Sequence, residues 1–203
     1  MLTAKRCVVA LAACFVAPSV GASAAPSAFV AAPETVRAQF DPASQETRVA
    51  SRVTPDLCFS LALPQEWRVD TGDLKTSLSA TSSDAELGLN LRSARELWNL
   101  PQTDLARRDA ALLQRDYEGL FGRPAQAVSL VSPVAGAVRW SATWIDANLP
   151  GLSHALTVET VIVPLSRDWV LELSLSNVEA RETYNALVWQ VLSGLRVQDG
   201  AGC

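Results

Sequence analysis

Apolar residues alternate with polar ones in the first regular segments of the chain. Every second residue from Leu57 to Leu63 is apolar until Pro64 ends the run, which is the period of a β-strand with one buried face. Residues 74–80 and 87–91 alternate in the same way around a Thr-Ser-Ser-Asp turn, and they predict a hairpin. The pattern therefore predicts three strands before the first helix.

A helical period replaces this alternation between Leu105 and Phe121. Apolar and small residues recur there every three or four positions, and Gly122 ends the pattern, as expected of an amphipathic helix and its C-terminal cap. The charged residues in between, Asp109 among them, predict a solvated face.

A meander and a second helix follow. Three more alternating segments predict antiparallel strands, at 138–144, 154–163 and 169–175. An apolar stripe from Tyr184 to Leu195 predicts the last helix, and Ser176 with Glu179 matches a capping box at its start.

Together these elements predict an α+β fold. We expect a mostly antiparallel sheet of about six strands, covered by two main amphipathic helices, in a single domain over 56–203. Residues 25–55 are rich in Ala, Ser, Pro and Thr without a sustained apolar period, and they predict a flexible arm or linker.

The N-terminus has the composition of a secretory signal peptide. Lys5 and Arg6 precede an apolar run, and small residues lead to cleavage between Ala24 and Ala25. The apolar run is far shorter than the roughly 20 residues that span a bilayer. An alternative stays open, because Leu-Ala-Ala-Cys at Cys14 resembles a bacterial lipobox, in which this cysteine carries a lipid anchor.

Composition and charge narrow the class of protein. The chain has 49% apolar and 19% charged residues, with 17 basic and 21 acidic side chains. Loss of residues 1–24 removes two basic residues and no acidic one, which changes the net charge from −4 to −6. Because the basic residues are scattered, the sequence excludes a nucleic-acid interface of the usual basic kind.

Export leaves two cysteines, Cys58 and Cys203, which we expect to form a disulfide in an oxidising compartment. A reactive thiol is the alternative. Without a Cys-x-x-Cys pair, redox catalysis has little support.

The sequence offers no recognisable catalytic, cofactor or metal site. His154 is the sole histidine, too few for zinc, and no nucleophile elbow or phosphate loop accompanies it. Glu159 and Glu172 fall on strands predicted to be adjacent. They form either exposed ion pairs with Arg139 or the carboxylate pair of a hydrolase.

Six tryptophans divide into two groups. Four lie on apolar stripes and predict core positions, at Trp140, Trp144, Trp169 and Trp189. Trp67 and Trp98 fall near the ends of elements, where they belong either to the core or to a partner surface.

The segment from Cys58 to Trp67, with its Leu63-Pro64-x-x-Trp67 motif, resembles the opening of PsbP-like domains. This family includes the photosystem II extrinsic subunit and DcrB-like periplasmic proteins. The resemblance covers about residues 57–198 and implies an antiparallel sheet between helices, with a non-catalytic accessory role.

These observations favour an exported binding or accessory module of a Gram-negative periplasm, or a secreted one. We expect it to act through an envelope protein or a small ligand, without cofactor, metal, nucleic acid or transmembrane helix. A periplasmic hydrolase and a membrane-tethered envelope lipoprotein are the alternatives.

Overall fold

The computed structural model describes residues 35–71, 76–146, 154–178 and 180–200. Strands make up about half of this part of the chain. In order they are β1 (Thr35–Asp41), β2 (Glu46–Thr54), β3 (Leu57–Pro64), β4 (Trp67–Thr71), β5 (Thr76–Ala80), β6 (Glu86–Ser93), β7 (Ala127–Val131), β8 (Val138–Ile145), β9 (Ala155–Pro164), β10 (Trp169–Ser176) and β11 (Arg196–Asp199). The α-helices are α1 (Leu105–Phe121) and α2 (Arg181–Gly194), and a short 3-10 helix spans Ala94–Leu97.

The strands form two antiparallel sheets. One has the order β1-β2-β3-β11, and the other has the order β4-β5-β6-β10-β9-β8-β7. The prediction of a sheet of about six strands covered by two helices is therefore wrong, because the protein is mainly β. A second sheet, together with α2, covers one face of the seven-stranded sheet, and α1 covers part of the other.

The largest difference from the sequence prediction lies at residues 35–54, which form β1 and β2 instead of a flexible arm. The inward positions of β2 alternate as in any half-buried strand, but two of the four are polar. They are Thr47, Val49, Ser51 and Val53, all buried. Because threonine and serine stand where a strand usually has aliphatic residues, the period of two is hidden in the sequence.

Two hydrophobic cores lie on opposite faces of the seven-stranded sheet. The first is enclosed by the two sheets and the buried side of α2, with Phe59, Leu87 and Leu171 among its members. The second lies under α1, where Trp140 and Trp144 are at most 1% exposed. Strand β10 contributes to both cores with consecutive buried residues, as a strand covered on both faces must.

The two helices begin differently. Asp104 caps α1 by accepting a hydrogen bond from the Arg107 N–H, and Gly122 ends α1 with a left-handed φ of 65°, as its sequence predicts. Helix α2 begins at Arg181 after Ala180, without a side-chain cap. The predicted capping box is wrong, since Ser176 belongs to β10.

Helix α2 joins the two sheets, because it leads from β10 to β11 and packs against β3. A Cβ atom at Gly194 would lie 3.2 Å from the backbone nitrogen of Ala62. The absence of a side chain therefore lets the end of α2 approach β3 closely.

The Leu-Pro-x-x-Trp motif builds the connection between β3 and β4, which lie in different sheets. The indole Nε1–H of Trp67 donates to the Pro64 carbonyl at 2.7 Å. Gln65 has a left-handed φ of 61° in the turn. A local hydrogen bond thus accounts for the spacing of the motif.

Several predictions concern residues outside the described ranges. They are the signal peptide with its cleavage site at Ala24 and Ala25, the lipobox at Cys14, and Cys203. Cys58 lies in β3 opposite Gln198 of β11, with its Sγ 3.7 Å from the Gln198 Oε1. This register brings the chain past Cys58 five residues before Cys203, but the disulfide stays a prediction. In the described ranges, no helix is both long enough and apolar enough for a membrane span.

Thr47→Val tests the assignment of residues 35–54 to the sheet. The Thr47 hydroxyl donates to the Gln65 carbonyl at 2.7 Å and accepts from the Trp67 N–H at 3.0 Å. Valine keeps the shape and leaves both backbone groups without this partner, so we expect the free energy of unfolding to fall by about 1–3 kcal/mol.

The measurement is chemical denaturation of the wild-type protein, Thr47→Val and the control Thr54→Val, which changes a half-buried threonine at the end of the same strand. Equal stability of all three proteins would contradict the assignment, because substitutions in a loose arm have no such cost.

Candidate functional site

The seven-stranded sheet carries α1 on one of its faces. Polar residues, most of them small, cover one half of that face. Helix α1 packs against β8, β9 and β10 and contacts β6 at Arg92, whereas β5 and the rest of β6 lie beyond its edge. The residues that share this outer face by strand register are Ser77, Ser79, Glu86, Gly88, Asn90, Ser174 and Ser176. In the described part of the chain, this polar half of the sheet therefore has no helix packed over it.

A groove of about 390 Å³ lies between this surface and α1. Leu113 and Tyr117 of α1 form one wall, while the strands supply the floor and the other wall. A Cβ atom at Gly88 would lie 2.7 Å from the Ser174 hydroxyl. Glycine at this position therefore keeps the floor of the groove flat.

A buried ionic cluster lies at the inner end of the groove. The Nε of Arg92 donates to Glu172 Oε1 at 2.8 Å and lies 2.7 Å from Asp109 Oδ1. Asn90 donates from its amide nitrogen to Glu172 Oε2 at 2.9 Å, and Glu96 approaches Arg92 at 3.7 Å. Arg92 is 5%, Asp109 0% and Glu172 6% exposed, so water screens these charges little.

Burial governs the protonation of Asp109. Loss of hydration, followed by repulsion from Glu172, raises its pKa to about 8 against the opposing attraction of Arg92. At neutral pH Asp109 is therefore mostly protonated, and its acid proton is available to Glu172. Neither Oδ atom of Asp109 forms a hydrogen bond of good geometry among the described residues, although Oδ1 lies 2.7 Å from the Arg92 Nε.

The residues of the cluster differ in whether a molecule in the groove can contact them. Glu172 and Asn90 line the groove, whereas Asp109 is fully buried. A substrate in the groove cannot reach the Asp109 proton directly, so acid catalysis by this residue lacks the required contact. The cluster instead presents a single carboxylate at the groove, held in place by Arg92 and Asn90.

Tyr117 forms the aromatic part of the groove wall. Its ring stacks on Trp140 with centroids 5.7 Å apart and lies 6.0 Å from the ring of Trp144. Burial and the nearby negative charge of Glu172 both raise the pKa of the Tyr117 hydroxyl. The contacts with Trp140 and Trp144 fix the position of the Tyr117 ring at the groove.

Glu159 and Glu172 do not form a common site. Glu172 lies opposite Ile162 in β9, three residues from Glu159, and an odd separation along a strand places side chains on opposite faces. The predicted hydrolase pair is thus separated by the sheet. The alternative of exposed ion pairs with Arg139 is correct in part: Glu159 pairs with Arg139, whereas Glu172 pairs with Arg92, and both glutamate side chains are only 8% exposed.

Glu159 belongs to a second cluster, on the face that packs against α2. It forms ion pairs with Arg139 and with Arg181, the latter at 2.9 Å. Both guanidinium groups lie 5.2 Å from the ring centre of Tyr184. Burial and Glu159 raise the pKa of Tyr184, and the cluster fastens the start of α2 to β8 and β9.

The division of the tryptophans into buried and exposed side chains differs from the prediction. Trp67 is 2% exposed and cannot serve as a partner surface, because it packs in the first core. Trp98 is 73% exposed, so the partner-surface hypothesis stays open for this residue alone of the two. Trp189, predicted as core, is 59% exposed on the outer side of α2.

His154 lies just before β9 with a φ of 47°. Its carbonyl accepts a hydrogen bond from the Asp146 N–H at 2.8 Å.

The sequence interpretation missed Asp109, Asn90, Arg92 and Tyr117 as parts of one site. The charge pattern predicts Asp109 on the solvated face of α1, but Asp109 lies four residues from Leu105 and from Leu113, and therefore on the same side of the helix. This spacing was the available signal. Asn90 and Arg92 face α1 because they alternate with Leu89 and Leu91, which fill the opposite core.

Searches among known proteins add nothing to this geometry: no family model and no curated protein matches the chain. Within the described ranges, no three histidine, cysteine or acidic side chains group in a way that could hold a metal ion.

Asp109→Asn tests the protonation of the cluster. An aspartate ionises near pH 3.8 in the unfolded chain and near 8 at this site, so the folded state binds more protons in between. This contribution of Asp109 to stability is complete below pH 3.8. It declines as the pH rises from there to about 8, and it is lost above that pH. Asparagine cannot ionise, so we expect the variant to gain stability relative to wild type by up to about 1.4 kcal/mol per pH unit over this interval.

The measurement is denaturant unfolding at several pH values across that interval. Asp116→Asn is the matched control, because Asp116 is an exposed aspartate of the same helix and should leave the pH profile unchanged. A difference between Asp109→Asn and wild type that stays constant with pH would show that Asp109 is ionised in the folded protein.

Proposed function

We propose that the protein is an exported periplasmic binding module, without catalytic activity of its own, that holds a small polar ligand in the groove beside α1. The observation that carries this proposal is the chemistry of the groove lining. Hydroxyl, amide and carboxylate groups of the strands face the aromatic ring of Tyr117 across a space of about 390 Å³, the size of a pocket for a small molecule.

The lining favours one class of ligand. It contains two carboxylates, Glu86 and Glu172, and no basic side chain, while the charge of Glu172 is partly balanced from below by Arg92. Carboxylates accept hydrogen bonds and repel anions. A neutral or cationic ligand rich in donors, such as a polyol or a small primary amine, therefore fits the groove best.

Export is the second part of the proposal. The charged start, the apolar run and the Ala-Ser-Ala before Ala25 support a cleaved signal peptide. The resemblance of the Leu63–Trp67 motif to PsbP-like domains supports an accessory role alongside ligand binding. Exposed Trp98 is the residue that we would test first as a protein contact.

Ser174→Phe tests the groove. Ser174 lines the groove and is exposed, so phenylalanine there fills the space without contact with the buried Arg92. We expect a ligand found with the wild-type protein to bind at least about tenfold more weakly to this variant.

The screen uses small polyols, monosaccharides and primary amines, with tryptophan fluorescence as the readout because Tyr117 packs on Trp140. Ser193→Phe is the control, since Ser193 is exposed on α2 at the other face of the sheet. Binding of anions in preference to these compounds, or equal binding by both variants, would overturn the assignment of the groove.

The intact mass of the exported product tests whether the protein is exported with its signal peptide removed. Expression of the full chain in a Gram-negative host should yield a periplasmic protein that begins at Ala25. A lipidated product that begins at Cys14 would establish the tethered lipoprotein instead, and retention of residues 1–24 would contradict export.

A further inference from the structure

Sheet edges are where one protein most readily pairs with another through backbone hydrogen bonds, and natural proteins usually protect them with charged residues, proline or bulges. The two sheets present four edge strands in the described part of the chain, β1, β11, β4 and β7. Strand β7 differs from the other three in its side chains.

Three of the edge strands each carry a basic and an acidic residue. The pairs are Arg37 and Asp41 in β1, Arg196 and Asp199 in β11, and Arg68 and Asp70 in β4. Charges of this kind discourage a further strand from pairing there.

Strand β7 has none of these protections. Its sequence is Ala-Val-Ser-Leu-Val, and all five residues are exposed. Val128 is 54%, Leu130 47% and Val131 55% exposed, although aliphatic side chains at such density are uncommon on a free surface. The outer backbone groups of β7 have no neighbouring strand among the described residues.

The charges around β7 are already balanced. Arg123, in the connection that precedes β7, pairs with Asp146 at 2.9 Å. Arg139, opposite Val131 in β8, pairs with Glu159. Two copies of an acidic protein can therefore meet at this edge without the repulsion that their overall charge would cause elsewhere.

We propose that β7 is a homodimer interface, in which the β7 strands of two copies pair antiparallel about Ser129. A two-fold axis at Ser129 sets Val128 opposite Leu130 of the partner subunit and Ala127 opposite Val131 of the partner subunit. Aliphatic residues then meet aliphatic residues and serine meets serine, as a self-complementary interface requires. The two seven-stranded sheets become one continuous sheet.

The test is sedimentation equilibrium of the protein expressed from the full chain and purified as the host processes it. We expect a concentration-dependent mass that reaches twice that of the monomer. In the double variant Val128→Lys, Leu130→Lys, like charges face each other across the axis, so the dissociation constant should rise by about tenfold or more. Both positions are exposed, and circular dichroism with thermal melting checks the fold.

A matched control and a rescue make the test specific. Val197→Lys changes an exposed valine of β11, another edge strand, and should leave the dimer intact. A mixture of the double lysine variant with Val128→Glu, Leu130→Glu should restore a dimer of one chain of each kind, because the proposed register sets lysine opposite glutamate. If the double lysine variant fails to fold, Ser129→Lys, which places like charges on the axis, takes its place.

A wild-type protein that stays monomeric at every concentration would overturn the proposal. So would a dimer that survives the lysine substitutions in β7, since its interface would then lie elsewhere. Both results are independent of ligand binding in the groove, which is measured on a different face of the subunit.

Discussion

The buried contact of Arg92 with Glu172 and Asp109 sets the position of α1 on the sheet. Such a cluster is expensive to form, because each charge loses its hydration, and an apolar replacement of equal volume is often at least as stable. What it provides is a fixed alignment, since Asp109 of α1 must meet Arg92 of β6 and Glu172 of β10. When Asp109 is protonated, the positive charge of Arg92 is balanced by the negative charge of Glu172.

This alignment determines the groove. Asp109, Leu113 and Tyr117 are spaced by four residues and lie along one side of α1. At a rise of about 1.5 Å per residue, Tyr117 lies roughly 12 Å along the axis from Asp109. A displacement of the helix by one turn would separate Asp109 from Arg92 and remove Tyr117 from the wall of the groove. The structural cluster and the candidate binding surface are therefore parts of the same arrangement.

The sequence predicts those elements whose inward residues are nearly all apolar. Strand β3 follows this rule, and helix α1 departs from it at Asp109; both appear near their predicted bounds. Strand β2 does not, because Thr47 and Ser51 occupy inward positions where their small size and local partners suit the space. Without β1 and β2, the second sheet could not be recognised, and the fold class was wrong for that reason.

The candidate site was harder to predict than the strands that build it. The sequence indicates Glu172 with Glu159 as its partner, because the adjacency of two strands does not reveal which face of the sheet each side chain takes. Register decides this point: a shift of one residue moves every side chain to the other face. Asp109 was missed because a charged residue on an amphipathic helix is normally solvated, and the residue that makes its burial possible, Arg92, lies in a strand that precedes the helix.

The groove and strand β7 lie toward opposite edges of one sheet. The groove involves β5, β6 and β10, whereas β7 forms the far edge beyond β9 and β8. In a dimer paired through β7 about a two-fold axis perpendicular to the sheet, both copies of α1 lie on the same side, so both grooves open toward the same side. Two sites on one rigid sheet can engage a partner that displays the ligand repeatedly, and the second contact then forms at a high effective concentration. A surface that presents many copies of a donor-rich group would be bound more tightly than the free ligand, with no added contact in either groove.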